Sequence, residues 1–246
     1  MISQTFILLS KKRFNFTSLL QFSNNLNNRK IYPMLMPMEF ENRDDAGNKL
    51  AEKLKGYKDK NAIIYALPRG GVVVGYQIAL KLGSPLDIIG VRKIGHPKQP
   101  EFAIAAVTEN GLILENEELT KTLDQKWYEN YAKNLQKEAR TQREKFLGKE
   151  MLSPEGKTAI IVDDGIATGL TMLAAIEEIK ENNPQKIVVA VPVLPPNLLE
   201  TIKREVDELI AVEIPEYFLG AVSGYYRSFP EISDKEVIEL LKKSPK

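Results

Sequence analysis

The chain contains no cysteine and a single histidine, His96. Disulfides and thiolate metal sites are therefore excluded, and cysteine usage says nothing of the compartment. One histidine cannot build a histidine metal cluster, and it makes a Ser-His-Asp triad a poor fit. Neither sign of charge is in excess: 34 Lys and Arg face 33 Asp and Glu, a formal net of +1. No global field recruits nucleic acid or a membrane surface. Long apolar runs are missing as well, since Phe6-Ile7-Leu8-Leu9 is far too short to span a bilayer. What remains is 246 residues, 43% hydrophobic and 27% charged, enough for one substantial soluble core.

The charge is unevenly placed. Residues 1–38 hold Lys11, Lys12, Arg13, Arg29 and Lys30 and no acidic residue, which leaves residues 39–246 net acidic. The basic cluster follows the apolar run, whereas a secretory signal places it before. Two readings stand: an organelle-targeting or disordered leader, or a stretch outside the working protein, with initiation at Met34, Met36 or Met38. The second is preferred because Met38-Glu39-Phe40 opens the first well-formed helix. The working domain is expected over residues 39–246, without internal repeat or linker.

Within that domain, strands and helices alternate. Asn42 is placed to cap a helix over 43–56. Strands are expected at 62–67, 86–91, 159–162, 186–193 and 209–214, with helices near 72–82, from the loop after 162 to about 182, at 197–204 and from Ser233. Short strands at 102–107 and 112–114 flank the hairpin signal Asn110-Gly111. A charged segment from 117 to 147 reads as one long helix, with Leu119, Leu123, Tyr128, Ala132, Leu135 and Ala139 on its apolar side. Continuous Val/Ile strands between helices imply a parallel sheet covered on both faces, and such sheets bind ligands beyond the carboxyl ends of their strands.

Chemistry gathers at three strand ends. The most informative is Ala159-Ile160-Ile161-Val162-Asp163-Asp164-Gly165-Ile166-Ala167-Thr168-Gly169-Leu170-Thr171. A buried strand runs into two carboxylates, then into a Gly- and Thr-rich loop opening a helix. The N–H groups of such a helix start attract an anion, and the carboxylates suit the hydroxyls of a sugar beside it. A plain turn capped by Thr168 is the alternative, but two adjacent buried carboxylates are costly without a partner. Arg69-Gly70-Gly71 is either a tight turn or a set of N–H groups facing an oxyanion. Arg92-Lys93 is either a solvated strand end or a cationic tip. Together the three suit a ligand with two separated phosphate groups.

Residues 160–171 resemble the signature of type I phosphoribosyltransferases, which bind 5-phosphoribosyl 1-diphosphate (PRPP). Over about residues 39–243 the chain is similar to a subfamily of predicted phosphoribosyltransferases of unassigned acceptor. The marks are Asn42-Arg43-Asp44-Asp45-Ala46-Gly47, Leu67-Pro68-Arg69-Gly70-Gly71-Val72, Leu86-Asp87, Val91-Arg92-Lys93, Pro100-Glu101, Val191-Pro192-Val193 and Ser233-Asp234-Lys235-Glu236-Val237. The resemblance implies an α/β fold: a Rossmann-like parallel-sheet core with a small hood, a β-hairpin and a long inserted helix. It implies that Asp163 and Asp164 bind the ribose hydroxyls directly or through Mg²⁺, and that Gly165, Ala167, Thr168, Gly169, Leu170 and Thr171 hold the 5′-phosphate. Arg69, Gly70 and Gly71 match the diphosphate loop. Arg92 and Lys93 match a basic pair before a mobile loop, here residues 94–101, from which Lys98 reaches the leaving group.

The implied reaction moves the phosphoribosyl group of PRPP to a nitrogenous acceptor in a cytoplasmic enzyme of nucleotide metabolism. Ala167 stands where relatives acting on 6-oxopurines carry an aspartate, so hypoxanthine or guanine is not the expected acceptor. Ala105 stands where glycine is expected. Tyr217, Phe218, Tyr225, Tyr226 and Phe229 either stack on the acceptor or pack under the last helix, and Arg43 to Asp45 either line that mouth or do not. Trp127, Tyr128 and Tyr131 fit core packing or a homodimer contact. His96 reads as a solvated lid residue. A PRPP sensor without catalysis and a ribosyl-phosphate hydrolase compete with the transferase, as does an assembly role with 117–147 as a docking arm.

Overall fold

The computed structural model describes residues 10–13 and 39–246. In chain order the elements begin with β1 (Ser10–Arg13), α1 (Arg43–Lys53), β2 (Ala62–Ala66), α2 (Gly70–Leu82) and β3 (Leu86–Ile88). An antiparallel run follows: β4 (Val91–His96), β5 (Gln99–Thr108) and β6 (Leu112–Glu115), then α3 (Glu117–Thr120) and α4 (Gln125–Phe146). The chain continues through β7 (Thr158–Val162), α5 (Leu170–Lys180), β8 (Lys186–Val193), α6 (Leu199–Lys203), β9 (Glu208–Glu213) and α7 (Asp234–Lys243).

Five strands form a parallel sheet in the order β3-β2-β7-β8-β9. This is the expected α/β architecture. Every residue of β2 and β7 is buried, as their uninterrupted apolar runs require. One face packs on α1, α2 and α7 through Leu50, Val72, Ile78 and Val237; the other packs on α5 through Leu173 and Ile176. Full burial of side chains such as Ile160, Ile161 and Val162 contributes roughly 1.5–3 kcal/mol each. That is the anchor for the polar residues that follow β7. Helix starts are set locally. Asn42 accepts the N–H of Asp45 at 2.9 Å, and Ser233 accepts that of Glu236 at 3.2 Å.

The second sheet, in the order β1-β6-β5-β4, corrects three expectations. The strand expected at 86–91 stops at Ile88, and Arg92-Lys93 lie inside β4 rather than at a strand end. Residues 94–101, expected as an irregular lid, belong to the β4–β5 hairpin, with Pro97 and Lys98 at its turn. Antiparallel pairing with β5 imposes this, and the register shifts between Ile94 and His96 absorb Gly95. The long helix is interrupted at 121–124. Asp124 accepts the N–H of Trp127 at 2.8 Å and so starts α4 afresh. Tyr128, Ala132 and Leu135 then pack on this sheet, while Trp127 and Tyr131 stack on each other at the surface. Ala105 is buried in the same packing.

Ser10–Arg13 pair in parallel with β6, and Lys12 meets Glu177 of α5 at 2.7 Å. Met34, Met36 and Met38 lie outside the described residues.

A buried charge cluster ties α4 to both sheets. Arg143 meets Glu109 Oε1 at 2.6 Å and Asp87 Oδ1 at 3.0 Å, and donates to the Ile88 carbonyl. One guanidinium thus serves two carboxylates, and Glu109 Oε2 has no partner among the described residues. Burial first, then the charges of Glu178 and Asp87, push Glu109 up to about 7 against the pull of Arg143. The folded value lies above the ordinary 4.5, so the folded chain holds this proton more tightly. Its contribution is complete below pH 4.5 and is lost as pH rises to 7, a fall of about 3 kcal/mol. Glu109→Gln is expected to flatten that fall. In thermal melts at pH 5 and pH 8, the wild type should lose more melting temperature between them than the variant; equal losses would contradict it.

Candidate functional site

The carboxyl ends of β2 and β7 lie side by side, with Ala66 paired to Val162. From β7 the chain continues into Asp163 and Asp164, both half-buried. From β2 it continues through Leu67, whose N–H donates to the Val162 carbonyl at 2.9 Å, to Pro68 and Arg69, joined by a cis peptide. Gly70 and Gly71 then pass the acid pair so closely that no side chain fits. A Cβ on Gly70 would stand 1.8 Å from Asp164 Oδ2, and one on Gly71 would stand 2.9 Å from the Val162 carbonyl oxygen. Two of the expected tips are therefore in contact.

The third tip reaches the same place from β4. The charge of Lys93 acts on Asp163, and Arg92 feels Arg69 and Asp234. Burial, foremost, holds Arg92 below its ordinary value. Arg69, Gly70 and Arg92 line one cleft of about 560 Å³, together with Arg43 and Phe229. The Arg69 side chain is 2.8 Å from Asp234 and 3.2 Å from Glu231, so α7 and the segment before it steady the loop. Lys98 is exposed at the hairpin turn, where its N–H donates to His96 Nδ1 at 3.2 Å.

The two acids have different surroundings. Asp164 is paired with Arg43, Nε to Oδ2 at 2.8 Å, and its backbone carbonyl accepts the Tyr226 hydroxyl at 2.6 Å. Asp163 accepts the N–H of Asp164 at 2.8 Å. Burial first, and the Asp164 charge second, drive Asp163 well above the ordinary aspartate range. An added cation would relieve that cost. Among the described residues no group of three or more His, Cys, Asp or Glu could hold a metal. Two carboxylates are nevertheless a sufficient protein share for Mg²⁺ when a phosphate ligand and water supply the rest.

Beyond the acids, Gly165 lies against Val222, and Ile166 donates to the Val193 carbonyl at 3.0 Å. Gly169, at φ 81°, turns the chain into α5. The N–H groups of Ala167, Thr168 and Gly169 have no hydrogen-bond partner among the described residues. With the first N–H groups of α5 they form an open donor set at a helix start, which is anion-binding chemistry. A smaller cavity of about 220 Å³ adjoins the loop, lined by Ala167, Thr168, Asn197, Leu198 and Phe218. Another, of about 510 Å³, lies at the opposite end of the sheet against Ala62, Ile63 and Leu86, remote from the acid pair.

Most of the carboxy-terminal aromatics pack on one another. Tyr225 and Tyr226 are buried, Phe218 stacks on Tyr225 at 5.7 Å, and Tyr226 meets Phe229 at 4.9 Å; Tyr217 is exposed. Sequence reasoning left Arg43 without a firm role and missed Tyr226 as a partner of Asp164. The one available signal was Arg43 directly after a capping Asn.

A family model described as phosphoribosyl transferase domain matches residues 39–221. Two Mycobacterium tuberculosis proteins, of strains CDC 1551 / Oshkosh and H37Rv, are each named a putative phosphoribosyl transferase. Each is 36% identical over 205 residues, covering 82% of this chain and 46% of the relative. The chain therefore spans about half the length of these curated relatives. The crystal structure of TT1426 from Thermus thermophilus is 35% identical with a TM-score of 0.72, covering 85% of this chain and 100% of that one.

Gly70→Ala tests the contact between loop and acid. The added methyl must displace the Asp164 carboxylate from Arg43, so affinity for any anion that spans the loop and the acid pair should fall about tenfold or more while the fold persists. Calorimetry with PRPP and Mg²⁺, alongside a thermal melt, measures both. Unchanged affinity would contradict the geometry.

Proposed function

Since the chain belongs to the phosphoribosyl transferase family, we propose that it transfers the phosphoribosyl group of PRPP to a nitrogen nucleophile and releases diphosphate. The observation that carries this reading is the packing of Gly70 against Asp164, which joins a cationic cleft to the acid pair that leads into an open N–H loop. Their chemistry matches the three parts of the donor. The free N–H groups of Ala167, Thr168 and Gly169, with Leu170, the hydroxyl of Thr171 and the turn at Gly165, take the 5′-phosphate. Asp163 and Asp164 accept the ribose hydroxyls. Arg69, Gly70, Gly71 and Arg92 take the diphosphate, and Lys93 adds positive charge beside them. Lys98, at the turn of the β4–β5 hairpin, is the residue that would reach the leaving group if the hairpin closes over it.

In this reaction the bond from C1 of the ribose to the diphosphate oxygen breaks, and a bond from C1 to the acceptor nitrogen forms. The electron pair leaves with the diphosphate, and the acceptor nitrogen gives up its proton. The protein aligns the two reactants, neutralises the departing anion with fixed arginines and N–H groups, and keeps carboxylates near the ribose as it becomes cationic. Mg²⁺ bound with the donor would be held by Asp163 and Asp164 and would supply further charge neutralisation. Ala167 offers no proton acceptor at the mouth of the phosphate loop. This supports an acceptor that needs no carboxylate there, and so not a 6-oxopurine.

Asp163→Asn/Asp164→Asn should lower PRPP affinity about tenfold or more, because charge-assisted bonds to the hydroxyls and the cation are lost. Diphosphate release from PRPP and Mg²⁺ should require an added base or amine. Unchanged affinity in the double variant would refute the assignment. Release without an acceptor would make the protein a hydrolase, and tight binding with no turnover across a broad acceptor panel would make it a sensor.

A further inference from the structure

Arg43 is the first residue of α1, immediately after the Asn42 cap, and it is only 7% exposed. Three contacts fix its guanidinium. Nε donates to Asp164 Oδ2 at 2.8 Å, Nη1 donates to the Pro230 carbonyl at 2.8 Å, and the guanidinium carbon stands 3.6 Å from the centroid of the Phe229 ring. Nη2 donates to no described residue. The side chain lines the 560 Å³ cleft beside Arg69, Gly70 and Arg92, and a Cβ on Gly70 would stand 2.9 Å from its Nε. Among the described residues, Glu231 is the only acidic one lining that cleft, against three arginines.

A purely structural ion pair would account for Nε and Nη1. It would not account for a third nitrogen left open in a cleft with two further guanidinium groups. A guanidinium already held on a ring and by two acceptors has little freedom left to lose when an oxyanion reaches its open edge. We propose that Arg43 is a donor-binding residue that takes a diphosphate oxygen on Nη2 while its Nε holds Asp164 in position, so that one side chain joins the leaving-group half of the site to the ribose half. The inference rests on the PRPP reading above. Phe229 and Pro230 extend the link to the carboxy-terminal segment, where Tyr226 bonds to the Asp164 carbonyl. Phe229 also packs on Tyr226.

The test uses the full chain, calorimetry with two probes in Mg²⁺, and a thermal melt of each variant. The probes are inorganic diphosphate and ribose 5-phosphate. Arg43→Lys keeps a cation for Asp164 but loses the planar fork, so it is the informative variant; Arg43→Ala removes both functions. Arg43→Lys should bind diphosphate about tenfold more weakly, the loss of one charge-assisted bond, with ribose 5-phosphate affected far less. Arg43→Ala should weaken both, diphosphate more. Equal losses for the two probes in Arg43→Lys, or no loss for either, would overturn the proposal while leaving the PRPP reading standing. Failure of the wild-type chain to bind either probe would overturn both. Should Arg43→Ala fail to fold, the Arg43→Lys comparison decides alone.

Discussion

Two adjacent carboxylates at the end of a fully buried strand set the terms for everything around them. β7 is anchored by apolar packing on both faces, so Asp163 and Asp164 cannot retreat into solvent together. Their repulsion is met from several directions. Arg43 reaches in from α1 and Lys93 acts from the second sheet, while Tyr226 fixes the backbone between them by its bond to the Asp164 carbonyl. The loop after β2 is glycine where it passes the acids because any side chain there would collide with them. The result is an asymmetric pair, one carboxylate held by a cation and the other burdened by burial. That asymmetry leaves Asp163 in need of a compensating positive charge.

The same economy of charge recurs away from the site. Arg143 gathers Asp87 from β3 and Glu109 from the β5–β6 turn, fixing α4 against both sheets. Because β4 leaves β3 only two residues beyond Asp87's neighbour Ile88, this cluster also sets where the hairpin carrying Arg92, Lys93 and Lys98 begins. The position of the cationic side of the candidate site thus depends on a buried ion network none of whose residues lines the cleft.

Much of this was legible in the sequence. The parallel strands announced themselves as Val/Ile runs, Asn42 and Ser233 marked helix starts, and the strand–acid–loop succession at 160–171 pointed to the family. Three features were not legible, each for a physical reason. Val91-Arg92-Lys93-Ile94-Gly95-His96 has too many polar residues and a glycine to read as a strand; antiparallel pairing with β5 makes it one. The segment from 117 to 147 carries one apolar face, yet Asp124 competes for backbone N–H groups and breaks it in two. The partner of Arg43 lies 121 residues away, and no local pattern reports a contact of that range. The aromatic cluster near the carboxyl end packs elsewhere than under the last helix: Tyr225 and Tyr226 are buried with Phe40 and Val193, and Tyr217 is left at the surface.

If one site takes both the phosphate and the diphosphate of a donor around Asp163 and Asp164, either fragment alone must compete with that donor. Competition binding tests it most directly: PRPP is titrated in Mg²⁺ in the presence of ribose 5-phosphate, and separately in the presence of inorganic diphosphate. Each fragment should displace PRPP, because each would occupy one half of its site. PRPP binding that neither fragment competes for, or no PRPP binding at all, would contradict it.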